Sequence, residues 1–329
     1  MSFLTSTSLA RPQYVVAIAG ITGNLGRAIT PVFLTSYKPY FSQVIGLVRD
    51  PSKPAAKELA EKGVELRQIS ETDGGESLVK ALQGVDVVIN VLGSSAAAFK
   101  PVVSEAAVKA GVAVLFLSEF GIDHRVNPFP GFEHREWTHK AEVDKAARAI
   151  AGDKTKVISV YNSAFLEDAF GPWFGFDVAN KTFHVVGSPD TKISFTSKAD
   201  IGRTLAELAL LAQSPSTAST IPDYVRISGD AVSYDDVKDI YEKVRKEEGE
   251  EDFKITIKSE RIETFKAQLV KDIQENPNIP PLGHLRLLMA EGGLDFTSDN
   301  SNELVNPDGT VWTWKTVETF VREIKGKAF

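Results

Sequence analysis

The stretch YVVAIAGITGNLG, residues 14–26, decides the fold of this chain. Its first six residues form a short apolar run, which is typical of a strand buried on both faces. The glycines at positions 20, 23 and 26 follow directly, and a helical pattern begins near Asn24. Glycine permits a tight turn and close approach to phosphate, and a helix N-terminus favours an anion. The stretch predicts a turn that holds a dinucleotide pyrophosphate, with a plain strand-to-helix turn as the alternative.

The alternation of strand and helix patterns continues to about residue 160. Residues 43–48, 85–91 and 112–117 are apolar runs, and helical segments separate them. Connections of a dozen or more residues between such strands imply parallel pairing. We therefore expect an α/β fold with a Rossmann-type doubly wound parallel sheet in residues 1–160. Residues 161–329 are expected to form a smaller C-terminal α/β substrate lobe, with some segments returning to the main sheet.

Composition excludes several classes of protein. The 329 residues are 43% hydrophobic and 25% charged, which is ordinary for a globular protein. The 37 basic and 44 acidic residues give a net charge of −7, so we expect no nucleic acid and no membrane as partner. The absence of cysteine excludes disulfides and thiolate catalysis, and it suggests a cytoplasmic location. His134 and His139 are five residues apart, unlike a helical zinc pair, and no metal site is expected.

The end of the predicted second strand carries a cation, Arg49. Sites for NAD usually have an acidic residue here, which holds the ribose 2′-hydroxyl. A guanidinium instead suits a 2′-phosphate through paired hydrogen bonds and stacking on adenine, and Lys53 is a second candidate cation. Asp50 follows Arg49, and an ordinary surface arginine is the alternative. We expect NADPH/NADP+ as the cofactor.

The dinucleotide is expected to cross the carboxyl ends of the parallel strands. Backbone N–H groups of the glycine turn and the hydroxyl of Thr22 would contact the phosphates. The ends of later strands would contact the rest of the dinucleotide. The predicted cofactor contacts are Gly20, Thr22, Gly23, Asn24, Leu25, Gly26, Arg49, Lys53, Val91, Leu92, Gly93, Ser118, Glu119, Phe120, Tyr161, Asn162 and Phe165.

A Tyr-x-x-x-Lys pair, common in short-chain reductases, is missing, because Glu136 stands four residues before Lys140. The glycine turn, the strand end at Arg49, residues 87–93 and above all Ser118-Glu-Phe-Gly121 followed by Lys140 resemble a known group. It is the isoflavone reductase-like, NmrA-like family of atypical short-chain dehydrogenases/reductases. The resemblance covers roughly residues 14–215, and Leu117 departs from it, since the family commonly has proline there.

The resemblance implies that Lys140 is the general acid/base and also contacts the cofactor. It further implies hydride transfer from NADPH to an aromatic or polyketide-like enone, ketone or quinone methide. Without the resemblance, Lys140 would be interpreted as a surface lysine of a charged helix. Two alternatives stay open. One is an NAD(P)-sensing regulatory protein without catalysis, a type that the NmrA-like branch contains. The other is a quinone oxidoreductase with loose substrate choice.

A small aromatic molecule is the expected partner, bound by a monomer or homodimer. Apolar side chains near the predicted site would form a wall for it, although core packing explains each aromatic equally well. The predicted substrate contacts are Phe120, Gly121, Ile122, His124, Phe165 and Trp173. Residues 123–137 form a loop that is expected to shape the entrance to the site.

Overall fold

The computed structural model describes residues 9–11 and 13–328. Strands alternate with helices through the first half of the chain, as the apolar runs predict. The strands are β1 (Tyr14–Ala19), β2 (Phe41–Val48), β3 (Glu65–Gln68), β4 (Val87–Asn90), β5 (Val114–Phe116), β6 (Lys156–Tyr161), β7 (Ala164–Phe165), β8 (Phe176–Asp177), β9 (Thr182–Val186), β10 (Ile193–Thr196), β11 (Tyr224–Arg226), β12 (Asp230–Val232) and β13 (Thr256–Glu260).

The helices cover both faces of the main sheet and build most of the C-terminal lobe. They are α1 (Asn24–Leu34), α2 (Pro54–Glu61), α3 (Glu76–Ala81), α4 (Lys100–Lys109), α5 (Arg135–Ala151), α6 (Leu166–Ala169), α7 (Lys198–Gln213), α8 (Tyr234–Glu247), α9 (Ile262–Glu275), α10 (Leu282–Ala290), α11 (Asn302–Val305) and α12 (Val317–Glu323). A 3-10 turn, Ser94–Phe99, leads into α4. Among the residues that the structure describes, no helix combines the length and apolar character needed to cross a bilayer.

The main sheet has seven strands in the order β3-β2-β1-β4-β5-β6-β11, and all neighbouring pairs are parallel. Alternate side chains of β1 enter two different cores. Val16 and Ile18 pack with apolar residues of α1 and α7, whereas Ala17 and Ala19 pack with residues of α3, α4 and α5. This burial on both faces explains why the strands are apolar runs without polar alternation. The predicted Rossmann-type fold is confirmed.

Two elements from the second half of the chain, β11 and α7, belong to the Rossmann-type part of the structure. Strand β11 pairs with β6 at the sheet edge, and α7 packs on α1. The remaining segments form two three-stranded sheets, β12-β10-β7 and β13-β9-β8, around a separate apolar core. The smaller C-terminal lobe is therefore present, while the division at residue 160 stays a prediction.

Candidate active site

A cleft of about 1070 Å³ opens at the carboxyl ends of β1, β2 and β4. The glycine turn, the end of β2 and the 3-10 turn form its walls. The predicted cofactor residues that line it are Gly20, Thr22, Gly23, Arg49, Lys53, Val91, Leu92 and Gly93. Glu71, Thr72, Ser95, Ala96, Phe99 and Val102 line it as well and were not predicted. The fold thus brings the phosphate turn and the two cations of the sequence prediction to one cleft.

The glycine turn is closed by backbone contacts that leave no room for side chains. Gly20 has a φ of +88°, and a Cβ there would lie 3.0 Å from the carbonyl carbon of Val91. A Cβ at Gly26 would lie 2.3 Å from the carbonyl oxygen of Gly20. Helix α1 begins directly after Gly23, which has no side chain to cap it. The N–H groups of the first helical turn are therefore open to an anion in the cleft.

The other residues of the turn have structural contacts of their own. The Leu25 side chain is buried in the core under α1. The Asn24 amide donates to the Asp168 carboxylate at 2.7 Å and accepts from the Lys198 ammonium at 2.8 Å. Lys198 also pairs with Asp168 at 2.5 Å. Sequence reasoning missed this clamp between the glycine turn and the C-terminal half, because its partners are far apart in the chain.

Two cations that follow β2 form loose ion pairs at the surface. Arg49 lies 3.3 Å from Glu71, and Lys53 lies 3.9 Å from Asp50; both cationic side chains are 73% exposed. Asp50 accepts hydrogen bonds from the hydroxyl and N–H of Ser52, which hold the pKa of this carboxyl below its usual value. Asp50 is thus engaged in its own turn, and the two cations are available to a phosphate group.

The Ser118–Gly121 segment follows β5 and ties neighbouring strand ends together. The Ser118 hydroxyl donates to the Leu92 carbonyl at 2.6 Å, and the Phe120 N–H donates to the Val160 carbonyl at 3.0 Å. The Gly121 carbonyl accepts the N–H groups of Asn162 and Ser163. These contacts fix the segment across the ends of β4, β5 and β6.

Lys140 lies on the face of α5 that approaches this segment. Its Nζ donates to the Glu119 carbonyl at 2.6 Å, and the side chain is only 13% exposed. His134 caps α5, because its Nδ1 accepts the N–H of Glu136 at 3.1 Å. The Nε2 of His139 lies 3.0 Å from the carbonyl of Ala97, in the 3-10 turn beside the cleft. The start of α5 is therefore fastened to the cleft wall.

Lys140 also belongs to a charged group that the sequence did not reveal. Glu136 Oε1 lies 3.9 Å from the Lys140 ammonium and 3.8 Å from that of Lys100. Burial opposes the charge on Glu136, but Lys140 and the Ser94 hydroxyl hold the pKa of this carboxyl below its usual value. Burial, together with the charge of Lys140, lowers the pKa of Lys100. The i, i+4 spacing of Glu136 and Lys140 was a signal for one of these pairs, whereas the contact with Lys100 depends on the packing of α4 on α5.

A second buried polar group lies at the end of β6. Glu119 and His124 are buried, and Nε2 of His124 lies 3.2 Å from Oε2 of Glu119. The hydroxyl of Tyr161 and Oδ1 of Asn162 have no hydrogen-bond partner among the described residues. Burial, reinforced by the charge of Glu119, raises the pKa of Tyr161 far above its usual range. Tyr161 is therefore a neutral phenol, and its cofactor contact stays a prediction.

The residues of the predicted apolar wall occupy different surroundings. Phe120 packs in the core beside α1, whereas Ile122 packs in the core of the C-terminal lobe. Phe165 is half-buried, with the Lys198 ammonium 5.8 Å from its ring centre. Trp173 is 42% exposed, and its indole N–H donates to the Asp168 carbonyl at 3.0 Å. A single wall made of these side chains stays a prediction.

The histidines near the site bind separate partners. His134 Nε2 lies 2.9 Å from the Ile279 carbonyl, whereas His124 and His139 have the contacts given above. Within residues 9–11 and 13–328, no group of three or more His, Asp or Glu side chains is arranged to hold a metal ion.

Comparison with known proteins gives a consistent set of relatives. The model of the NmrA-like family matches residues 12–278. Eugenol synthase 2 of Clarkia breweri is 30% identical over 272 residues, which cover 80% of this chain and 81% of that protein. Isoflavone reductase homolog IRL of Zea mays is 28% identical over 311 residues, 88% of each chain.

A solved structure has the same fold over almost the whole chain. It is the leucoanthocyanidin reductase–NADPH complex from Vitis vinifera, with a TM-score of 0.69 at 18% identity, and it covers 95% of this chain and 99% of that one. The predicted class, an isoflavone reductase-like oxidoreductase that uses NADPH, agrees with the names of these relatives. Because the family model matches most of its length, the chain belongs to the NmrA-like family, and it is isoflavone reductase-like.

Proposed function

We propose that the protein is an NADPH-dependent reductase of an aromatic or polyketide-like enone, ketone or quinone methide, with Lys140 as general acid/base. One observation carries the proposal. Lys140 donates to the Glu119 carbonyl from a helix that is bound to the 3-10 turn, and this turn lines the cleft through Ser95 and Ala96. A cation is thereby held beside a cleft that has the features of a dinucleotide site.

The residues of the cleft fit NADPH. The closed turn at Gly20 and Gly26 leaves backbone N–H groups of α1 to face a pyrophosphate. Arg49 and Lys53 would hold the 2′-phosphate, since their present carboxylate partners are loose and exposed. When bound, NADPH supplies hydride.

Lys140 would manage the proton of the reaction. Its ammonium group now donates to a backbone carbonyl and is mostly shielded from water. A substrate oxygen that gains negative charge is a stronger acceptor than this carbonyl, and the Nζ proton can move to it. The phenol of Tyr161 stays neutral and lies close enough to Glu119 to feel its charge. We keep Tyr161 among the proposed cofactor contacts.

The relatives support an aromatic substrate, since their names refer to eugenol, isoflavones and leucoanthocyanidin. In this chain, Phe165 lies near the Lys198 ammonium and Trp173 binds the Asp168 carbonyl, and the clamp joins Lys198 and Asp168 to the glycine turn. We assign the substrate side of the site to these residues and to the lobe formed by residues 161–329.

Calorimetric titration with NADPH, NADP+, NADH and NAD+ tests the cofactor, and the proposal requires tighter binding of NADPH than of NADH. Turnover is then measured by NADPH oxidation with an isoflavone, an aromatic ketone and a quinone as probes. Lys140→Ala should lower kcat by about 100-fold or more while NADPH still binds. Lys145→Ala, an exposed position on the same helix, is the matched control.

Full turnover in Lys140→Ala would contradict the role of this lysine. Tight NADPH binding without turnover of any probe, together with capture of a protein partner, would favour the regulatory alternative.

A further inference from the structure

The part of the cleft beside the ends of β2 and β3 is lined by carboxylates as well as by cations. The charged residues there are Arg49, Lys53, Asp50 and Glu71. Their formal charges cancel when all four groups are charged. A phosphate monoester, such as the 2′-phosphate of NADPH, brings about 1.5 to 2 negative charges at pH 7. An anion that binds here is therefore attracted by two groups and repelled by two, and the placement of each carboxylate matters.

The two carboxylates are held in different ways. Asp50 accepts the N–H and the hydroxyl of Ser52, so it is bound within its own turn. Glu71 instead reaches the neighbouring strand end, where its Oε2 lies 3.3 Å from Nη1 of Arg49. Among the described residues, Glu71 is the carboxylate in ion-pair contact with Arg49. It therefore engages the guanidinium group that is proposed to hold the 2′-phosphate.

The backbone directly before Glu71 is held on two sides. The Ile69 N–H donates to the Val48 carbonyl at 2.9 Å, which continues the ladder between β3 and β2. The Ser70 N–H donates to the hydroxyl of Ser77 in α3 at 2.8 Å. The backbone at this point cannot easily move away, because strand and helix both bind it. The charge of Glu71 therefore stays beside the cleft even when its side chain leaves Arg49.

We propose that Glu71 is a specificity-determining residue of the cofactor site, and that it limits the preference for a nucleotide with a 2′-phosphate. In the protein without cofactor, its carboxylate binds Arg49 in place of that phosphate. When the phosphate binds Arg49, Glu71 loses its partner and stays beside it as a like charge. A nucleotide with a free 2′-hydroxyl meets neither penalty. The inference rests on the proposed function, because it takes the cleft to be the NADPH site.

The test is calorimetric titration of the full chain with adenosine 2′,5′-bisphosphate and adenosine 5′-phosphate, which differ only in the 2′-phosphate, and then with NADPH and NADH. Glu71→Gln should tighten binding of the bisphosphate and of NADPH by about threefold to tenfold, since a competing charge is removed. Binding of the 5′-phosphate and of NADH should change by less than about twofold. The gain should shrink as salt is raised from about 0.05 M to about 0.5 M, because salt screens exposed charges.

Glu58→Gln is the matched control. Glu58 forms a similarly loose pair with Arg27, at 3.5 Å, but it does not line this cleft. Its substitution removes the same charge and should leave the affinities for both nucleotides nearly unchanged. In the Arg49→Ala background, Glu71→Gln should give a smaller gain, because the guanidinium group for which the two anions compete is absent.

No gain in Glu71→Gln, or equal gains for the bisphosphate and the 5′-phosphate, would overturn the inference. A gain in Glu71→Ala without one in Glu71→Gln would overturn it as well, because the side chain would then act through its volume. Failure of the proposed cofactor site would look different, since the wild type would bind the two nucleotides equally. Failure of the proposed catalysis would leave the affinities as described, while Lys140→Ala retained turnover.

Discussion

Gly26→Ala is the substitution whose effect follows most directly from the structure of the glycine turn. The new methyl group would lie 2.3 Å from the Gly20 carbonyl oxygen and 2.7 and 2.8 Å from backbone atoms of Ile21. Backbone atoms cannot rotate away as a side chain can, so the cost is expected near the upper end of overpacking, about 3 kcal/mol. Alanine gains about 1 kcal/mol in helix propensity within α1. The net loss of unfolding free energy is about 2 kcal/mol.

Such a loss corresponds to a fall of about 3 °C in Tm for a chain of this length. Calorimetric unfolding measures it, and NADPH titration of the same samples should show binding weakened about tenfold or more, because the turn must open. Gly93→Ala is the matched control for the change in Tm, since no described heavy atom lies within 4 Å of the Cβ that it would add. Wild-type Tm and wild-type affinity in Gly26→Ala would refute the steric account of this turn.

Three further substitutions test other parts of the site. Arg49→Ala should weaken NADPH binding about 10- to 100-fold by calorimetry and change NADH binding little, because only NADPH has a 2′-phosphate; equal losses would count against this role. Lys198→Met should weaken NADPH binding by about threefold to tenfold, because it frees the glycine turn from its clamp, and unchanged affinity would contradict this. Asp123→Asn should lose less unfolding free energy than the wild type when the pH is lowered. Although Asp123 is buried, Arg125 and Arg226 hold its pKa below the usual value. Its stabilisation is therefore present above the unfolded pKa of about 3.9 and is lost as the pH falls through the lower folded pKa. Denaturant titrations at about pH 7 and pH 3 measure the difference, and equal acid losses in variant and wild type would exclude it.

The main sheet could be predicted because burial on both faces leaves a direct mark in the sequence. The apolar runs at residues 43–48, 85–91 and 112–117 correspond to β2, β4 and β5, with ends that differ by at most two residues. A strand ends where its backbone hydrogen bonds to the neighbouring strand end. The residue types at that point do not determine this position. The return of β11 to the sheet edge depends on long-range pairing with β6.

The predicted apolar wall shows which features of the substrate side have no signal in the sequence. In a regular strand, Phe120 and Ile122 would share one face, because side chains alternate with a period of two. Phe120 instead has a φ of +31°, so the chain turns, and the two side chains enter different cores. A positive φ at a phenylalanine is rare and has no sequence signal of its own. Trp173 likewise binds the Asp168 carbonyl through a turn that no periodicity predicts.

The charged group of Lys100, Glu136 and Lys140 shows a further limit of prediction from sequence. Glu136 and Lys140 are four residues apart on one helix, and that pair follows from the sequence. Lys100 joins them only because α4 packs on α5, and the Ser94 hydroxyl comes from the 3-10 turn before α4. That same turn lines the cleft through Ser95 and binds α5 through the Ala97 carbonyl. The 3-10 turn therefore connects the wall of the cleft with the start of α5, the helix that carries Lys140, through contacts to Glu136 and His139.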